Sequence, residues 1–385
     1  MKQVYFDHAA TTPVDPRVFA EMKPYLTEKL GNPSSIYAYG REARKAIDDA
    51  REIIANCIGA TAQEIVFTSG GTESDNLAIK GVALALKDKG RHIITSAIEH
   101  HAVLDSVKFL EKHGFKVTYL PVDSEGMVDV KDLENAITDE TILITIMHAN
   151  NEIGTIQPIK EIGEIAKKHN IVFHSDAVQT VGVLPIDVNE LNVDLLTFSA
   201  HKLYGPKGVG ALYVRKGVRL GTLIHGGGQE RKRRAGTENV AGIVGFAKAV
   251  ELAVAEQKEV NQKVQELRER LFKGLESIPH IRFNGSRTHR LPNNVNVCFE
   301  FIEGESLLLN LDMNGIAASS GSACTSGSLD PSHVLLAIGL SHEIAHGSLR
   351  LTLGKENTAE EVDYVVEKLE EIVQRLRDMS PLYNG

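Results

Sequence analysis

The chain has 385 residues, 42% of them hydrophobic and 24% charged, with a formal net charge of -9 and no tryptophan. A length of this kind exceeds one typical core and predicts about two domains of an ordinary folded protein. The acidic balance excludes a global basic field for holding nucleic acid or an anionic membrane.

Three widely spaced cysteines, Cys57, Cys298 and Cys324, make no disulfide framework and fit a reducing, cytoplasmic compartment. The opening MKQVYFDHAATTP lacks the apolar stretch of a secretory signal, and no run approaches the ~20 apolar residues of a membrane span. A soluble, cytoplasmic protein is therefore expected.

Strand-like runs begin at EIVFTS (64–69) and recur at HIITSA (92–97), KVTYLPV (116–122), TILITIMH (141–148), IVFHSD (171–176), DLLTFS (194–199) and GALYVR (210–215). Helical patterns such as 101–113 and 159–168 lie between most of them. Near-continuous apolar strands separated by helices predict an α/β fold whose mainly parallel sheet is covered on both faces. A long helix from about Asn239 to Ser277 follows, and then the pattern changes. PNNVNVCFEF (292–301) and SLRLTLG (348–354) read as strands and 304–314 as a helix. A closing helix is signed by a capping box, Thr358 with Glu361, and by a stripe of Val362, Val365, Val366, Leu369, Ile372, Val373 and Leu376. We expect a large domain over 15–257 and a smaller α+β domain from 1–14 and 258–385.

Ligands of open α/β sheets bind beyond the carboxyl ends of the strands. There, EIVFTS runs into GGTESDNLAIKG, where Gly70, Gly71 and Thr72 at a helix start suit a phosphate, although such a turn also occurs without one. His100 and His101 end the next strand; adjacent rings point apart, so zinc is not expected. Asn150 and Asn151 follow TILITIMH. Asp176 ends IVFHSD, with Gln179 close behind; a carboxylate there either caps a turn or meets a cation. Lys202 follows DLLTFS at once, either as a surface residue or as an amine tuned by its surroundings. The run Arg231, Lys232, Arg233 and Arg234 reads equally as a solvated loop or as a local anion contact. Taken together, a phosphate seat, a stacking histidine, an aspartate and a lysine at one sheet edge are the parts that hold pyridoxal phosphate: Lys202 as the Schiff-base amine, Asp176 as guardian of the ring-nitrogen proton. A nicotinamide site would require neither.

FDHAATTPVDPRV, GNPSS, FTSGGTESDNLAIKG, EHHAVL, MHANNEIGTIQPI, HSDAVQ, SAHKLYGPKGVGALYVR, RRAGTENVAGI and SSGSACTSGSLDPSHVL resemble, in order, the group I cysteine desulfurases of the NifS and IscS type. The blocks span nearly the whole chain. The resemblance implies fold type I of the pyridoxal phosphate enzymes, a homodimer, and conversion of L-cysteine to L-alanine with sulfur carried as an enzyme persulfide. It makes Lys202 the cofactor-bearing lysine, His100 the residue stacked on the ring, Asp176 and Gln179 the partners of the ring nitrogen and hydroxyl. Gly71, Thr72, Ser199 and His201 become phosphate binders, joined by Thr237 from the other subunit, and Asn151 with Arg350 the substrate carboxylate clamp, where a guanidinium fork suits a carboxylate.

The resemblance also makes Cys324 the catalytic thiol. It lies in SGSACTSGSLDP, a small polar loop (about 319–332), because the thiol must reach the substrate sulfur and then present a persulfide to an acceptor outside. That acceptor is commonly an iron–sulfur scaffold protein. Cys324 is then a candidate shared cluster ligand, the chain having no metal of its own. Cys57 and Cys298, among apolar neighbours, read as core fillers. A selenocysteine lyase or another transaminase of the same fold is a rival reading, and a non-catalytic sulfur carrier is another.

Overall fold

The computed structural model describes residues 2–320 and 331–383; Cys324 lies outside them. β1 (Val4–Tyr5) precedes α1 (Pro16–Thr27), which starts where the Asp15 carboxylate accepts from Arg17 N at 2.9 Å and Pro16 presets the first turn. α2 (Ala38–Cys57) leads to β2 (Ile65–Thr68), α3 (Gly71–Leu86), β3 (His92–Ser96), α4 (His101–Glu111), β4 (Lys116–Leu120), α5 (Val130–Ala136), β5 (Thr141–Thr145), α6 (Ile159–Lys168), β6 (Val172–Asp176), β7 (Leu195–Ser199) and β8 (Gly210–Val214). All seven strand runs read from the sequence are present here, trimmed by a few residues at their ends.

These seven strands form one sheet in the order β2-β8-β7-β6-β5-β3-β4. Neighbours from β7 to β4 are parallel, whereas β8 runs antiparallel to both β2 and β7. Chain order reverses between β3 and β5, which are neighbours, and such a reversal opens a crevice at the carboxyl edge. β2, β3, β5, β7 and β8 are buried along their whole length. Leu77, Val82, Ile93 and Val103 lie in the core on one face; Ile54, Ile94, Phe173, Phe198 and Phe246 lie in that on the other. Both faces being covered explains why the strands carry no alternation.

α7 (Val240–Leu275) runs 36 residues, about 54 Å at 1.5 Å per residue, and serves two cores. Ile243, Phe246 and Val250 belong to the seven-stranded layer, and Val264, Leu267 and Leu271 to a second cluster. That cluster is built on β9 (Ile281–Phe283), β10 (Asn294–Phe299), α8 (Gly304–Met313), β11 (Ile316–Ala317), β12 (Ser348–Thr352) and α11 (Ala359–Met379), whereas α9 (His333–Ala337) and α10 (His342–His346) pack in a further cluster with Ile98, Met147 and Cys298. β10 lies antiparallel between β12 and β9, and β1 pairs in parallel with β11. The capping box of α11 is made in full, the Thr358 hydroxyl accepting from Glu361 N and the Glu361 carboxylate from Thr358 N. Cys298 is fully buried; Cys57 is half-buried beside the larger core.

Candidate active site

β2 ends in a turn that only glycine enters readily: Gly70 has φ 153° and caps α3 without a side chain. The first amides of α3 are thus left to whatever occupies the turn, with the positive end of the helix dipole behind them. Opposite stands Ser199, the last residue of β7, 1% exposed, whose Oγ is buried with no hydrogen-bond partner among the described residues. A buried hydroxyl without a partner costs free energy that an incoming anion would recover. A Cβ added at Gly71 would come within 2.8 Å of Val178 Cγ2, so a larger residue would displace a wall of this cradle. Thr72 is exposed at the same turn, and His201 Nδ1 lies 3.2 Å from Thr11 Oγ1.

Along the edge, β6 ends at Asp176, paired in register with Thr197 of β7. Burial raises its carboxyl to about 6, opposed by an amide hydrogen bond from Val178 (2.9 Å) and by the charge of Lys202. The carboxylate therefore caps its turn and faces a cation at once; both sequence alternatives are present. Lys202, three residues beyond the end of β7, directs Nζ to Ala9 O at 2.5 Å and Ala10 O at 2.8 Å. Gln179 Nε2 donates to the same Ala9 carbonyl at 3.1 Å.

His100 stands at the carboxyl edge beyond β3, where its Nδ1 accepts from Ala102 N at 3.1 Å and so caps α4. Burial, then the neighbouring charge of Lys202, pushes its pKa down to about 4, so the ring is neutral near pH 7 and Nδ1 is the unprotonated nitrogen. His101 points elsewhere, its ring 6.5 Å from that of His100 and 5.0 Å from that of His333. Among the described residues no cluster of three or more His, Cys, Asp or Glu side chains is arranged to hold a metal ion.

The opposite wall comes from the smaller sheet. Arg350 on β12 is 4% exposed; its Nη1 donates to Asn151 O at 3.1 Å and its Nη2 to Asp7 Oδ1 at 2.9 Å, while Nε is buried without a partner among the described residues. Ser319 pairs with Arg350 backbone to backbone. Asn150, by contrast, is fully buried and spends its side chain on Ile98 O and on the amides of Glu152 and Ile153, which makes it part of the turn that presents Asn151.

Thr237 is exposed. Its segment is tied down by three ion pairs: Arg51 with Glu230 (2.7 Å), Arg234 with Glu73 (2.8 Å) and Arg44 with Glu238 (2.6 Å). Arg234 thus leaves the basic run to brace the start of α3, and Arg231 and Lys232 stay exposed. The structure also adds residues that motif reading did not single out. Asp75 of α3 lies fully buried 3.6 Å from His174; burial and the charge of Asp176 raise the acid, while burial lowers the histidine to about 3, so the ring is neutral near pH 7. Buried Glu99, raised to about 8, takes hydrogen bonds from Ser96 Oγ and Met147 N. The two-residue spacing of His174 and Asp176 on β6, which puts both on one face of the strand, was the available signal for His174.

Residues 4–365 match the family model for aminotransferase class-V. A protein of Methanosarcina thermophila named cysteine desulfurase IscS is 64% identical over 381 residues, covering 99% of this chain and 94% of its own. A protein of the same name from Clostridium botulinum is 61% identical over 385 residues, covering 99% and 97%. The solved structure of a NifS-like protein superposes with a TM-score of 0.92 at 46% identity, over 97% of this chain and 100% of the other.

Proposed function

The chain belongs to the aminotransferase class-V family, and from that membership we propose that it is a pyridoxal phosphate-dependent cysteine desulfurase of the NifS and IscS type. It converts L-cysteine to L-alanine and moves the sulfur to one of its own cysteines. The observation that carries this reading is the meeting of Asp176 and Lys202 at the ends of neighbouring strands, beside the orphaned hydroxyl of Ser199. An acid, an amine and an unsatisfied anion seat fit a phosphorylated pyridine aldehyde, and a nicotinamide would use none of the three in this way.

Bound there, the cofactor supplies an electron sink that acidifies the α-hydrogen of cysteine. Ser199, Gly71, Thr72 and His201 hold its phosphate, completed by Thr237 of the partner subunit. Asp176 keeps the ring nitrogen protonated and Gln179 meets the ring hydroxyl. Lys202 removes the α-proton and returns it; the neutral ring of His100 stacks on the cofactor and handles the proton at the substrate sulfur, which a base with a low pKa can release again near pH 7. Arg350 and Asn151 fix the α-carboxylate. Cys324, outside the described residues, attacks as thiolate: its sulfur–sulfur bond forms as the substrate carbon–sulfur bond breaks, the electron pair stays on carbon, and a proton there completes alanine.

A homodimer follows from the same reading. Leu30 and Ile36 are 78% and 89% exposed, with Tyr37 and Tyr39 nearby, an apolar strip suited to a second copy. The anchored, outward Thr237 needs such a copy to have a ligand. We read residues 15–257 as the cofactor-binding unit and 1–14 with 258–385 as the unit bearing the 319–332 loop, α7 continuing across the boundary. The acceptor of the persulfide is a protein such as an iron–sulfur scaffold, and the reaction takes place in the cytoplasm, where thiols stay reduced. The test is incubation of the holoenzyme with L-cysteine, with and without a reductant. Equal yields of alanine and reductant-released sulfide are expected; pyruvate, or transfer of the amino group, would overturn desulfuration.

A further inference from the structure

Arg350 keeps company that the proposed chemistry does not use. Its Nη2 donates to Asp7 Oδ1 at 2.9 Å, and their side chains are 5% and 18% exposed, so the pair is largely withdrawn from solvent. Asp7 is not free to swing aside: it bridges to Thr352 of the strand that carries Arg350, Tyr5 Oη donates to its carbonyl at 3.1 Å, and Ala9 N donates to Thr352 Oγ1 at 2.9 Å. The same short segment presents the Ala9 and Ala10 carbonyls to Lys202 and the Ala9 carbonyl to Gln179.

A carboxylate held side-on by a guanidinium uses Nε and one Nη. In Arg350 the buried Nε is the donor without a partner among the described residues, and the adjoining Nη2 already has a carboxylate on it. An incoming α-carboxylate must therefore settle beside Asp7, and two like charges on one cation in a buried setting repel.

We propose that Asp7 is a positioning residue for the amino-acid carboxylate: it holds the Arg350 fork in place between turnovers and, remaining beside it, loosens the fork's grip so that the product leaves. This rests on the reading of Arg350 as the carboxylate clamp. The clamp is thereby preorganised without becoming a trap, because the permanent counter-ion stabilises the ligand-free arginine and opposes the bound one.

Calorimetric titration of the holoenzyme with L-alanine tests it, alongside steady-state kinetics with L-cysteine. Asp7→Asn preserves size and the accepting oxygen and removes the charge. It is expected to tighten L-alanine binding and lower KM by roughly fivefold to tenfold, with kcat unchanged or reduced, whereas Asp7→Glu stays near wild type. Asp7→Ser, a second uncharged variant, is expected to move affinity the same way. Unchanged or weaker alanine binding in the uncharged variants, or equal tightening in Asp7→Glu, overturns the proposal. Arg350→Gln separates the two levels of the account: it should weaken L-alanine binding, and if it does not, Arg350 is no clamp and the inference falls with that reading.

Discussion

The two larger sheets of this molecule distribute polarity in different ways. In the seven-stranded sheet most strands are buried end to end and the chemical groups wait at the termini: Ser199 and Asp176 end their strands, and His100 and Lys202 follow within a few residues. In the three-stranded sheet polarity alternates along the strand. Val295, Val297 and Phe299 of β10 and Leu349 and Leu351 of β12 enter a core, while Asn294, Asn296 and Arg350 face the other way, the two asparagines donating to Glu152 O at 3.1 Å. One sheet is a platform with a reactive rim; the other is a wall, apolar on one face and recognising on the other. Substitutions at the rim should therefore separate chemistry from stability, and substitutions in the wall should separate stability from chemistry.

The sharpest break is Lys202→Ala, which is expected to abolish desulfuration, by roughly 10^4-fold or more, and to remove the visible absorption of the bound cofactor while leaving the fold intact. Arg350→Gln, the one wall residue assigned to the chemistry, should lower kcat/KM for L-cysteine by about 10^2-fold, mostly through KM. Leu351→Ala, one residue along the same strand but facing the core, should cost about 2–5 kcal/mol in denaturant unfolding and leave the cofactor spectrum unchanged. Ser199→Ala should weaken cofactor affinity about tenfold, a loss near 1.4 kcal/mol for one hydrogen bond to an anion. The ligand-free protein should be as stable as wild type or slightly more so, since a buried hydroxyl without a partner is removed.

The smallest effect is one of pH. Burial lowers His148 to about 4 from the usual 6.5. Between those values the unfolded chain binds a proton that the folded one refuses, so this group makes stability rise with pH across the window, by at most ~1.4 kcal/mol per unit, and contributes nothing above it. His148→Asn should flatten the dependence of the unfolding midpoint between pH 4 and 6.5 by that amount, measured with the cofactor absent.

The platform was the more legible of the two regions. Its strands are continuous apolar runs, and because reactive residues sit where such runs stop, Asp176 and Lys202 could be placed at one edge from spacing alone. Roles for Gln179, Asn151, Arg350 and Thr237 needed the resemblance to a family, since nothing in their local pattern distinguishes them from solvated residues. The wall and the separate two-stranded sheet were less legible: β1, β9 and β11 are two or three residues long, too short for any period, and exist because distant segments pair with them. Asp7, Ala9 and Ala10 sit within FDHAATTP yet act through contacts more than 150 residues away, with Lys202, Gln179 and Arg350, which only the fold brings close. The basic run at 231–234 divides for the same reason, one arginine being claimed by Glu73 of α3.

The central claim is that sulfur leaves the rigid platform on Cys324 and on no other residue. Brief reaction of the holoenzyme with one equivalent of 35S-labelled L-cysteine, alkylation, and peptide mass spectrometry would locate it. The account predicts a persulfide on the peptide holding Cys324, in a yield matching the alanine released, with Cys57 and Cys298 unlabelled. Label on either of those two cysteines, or alanine formed with no protein-bound sulfur, would contradict it.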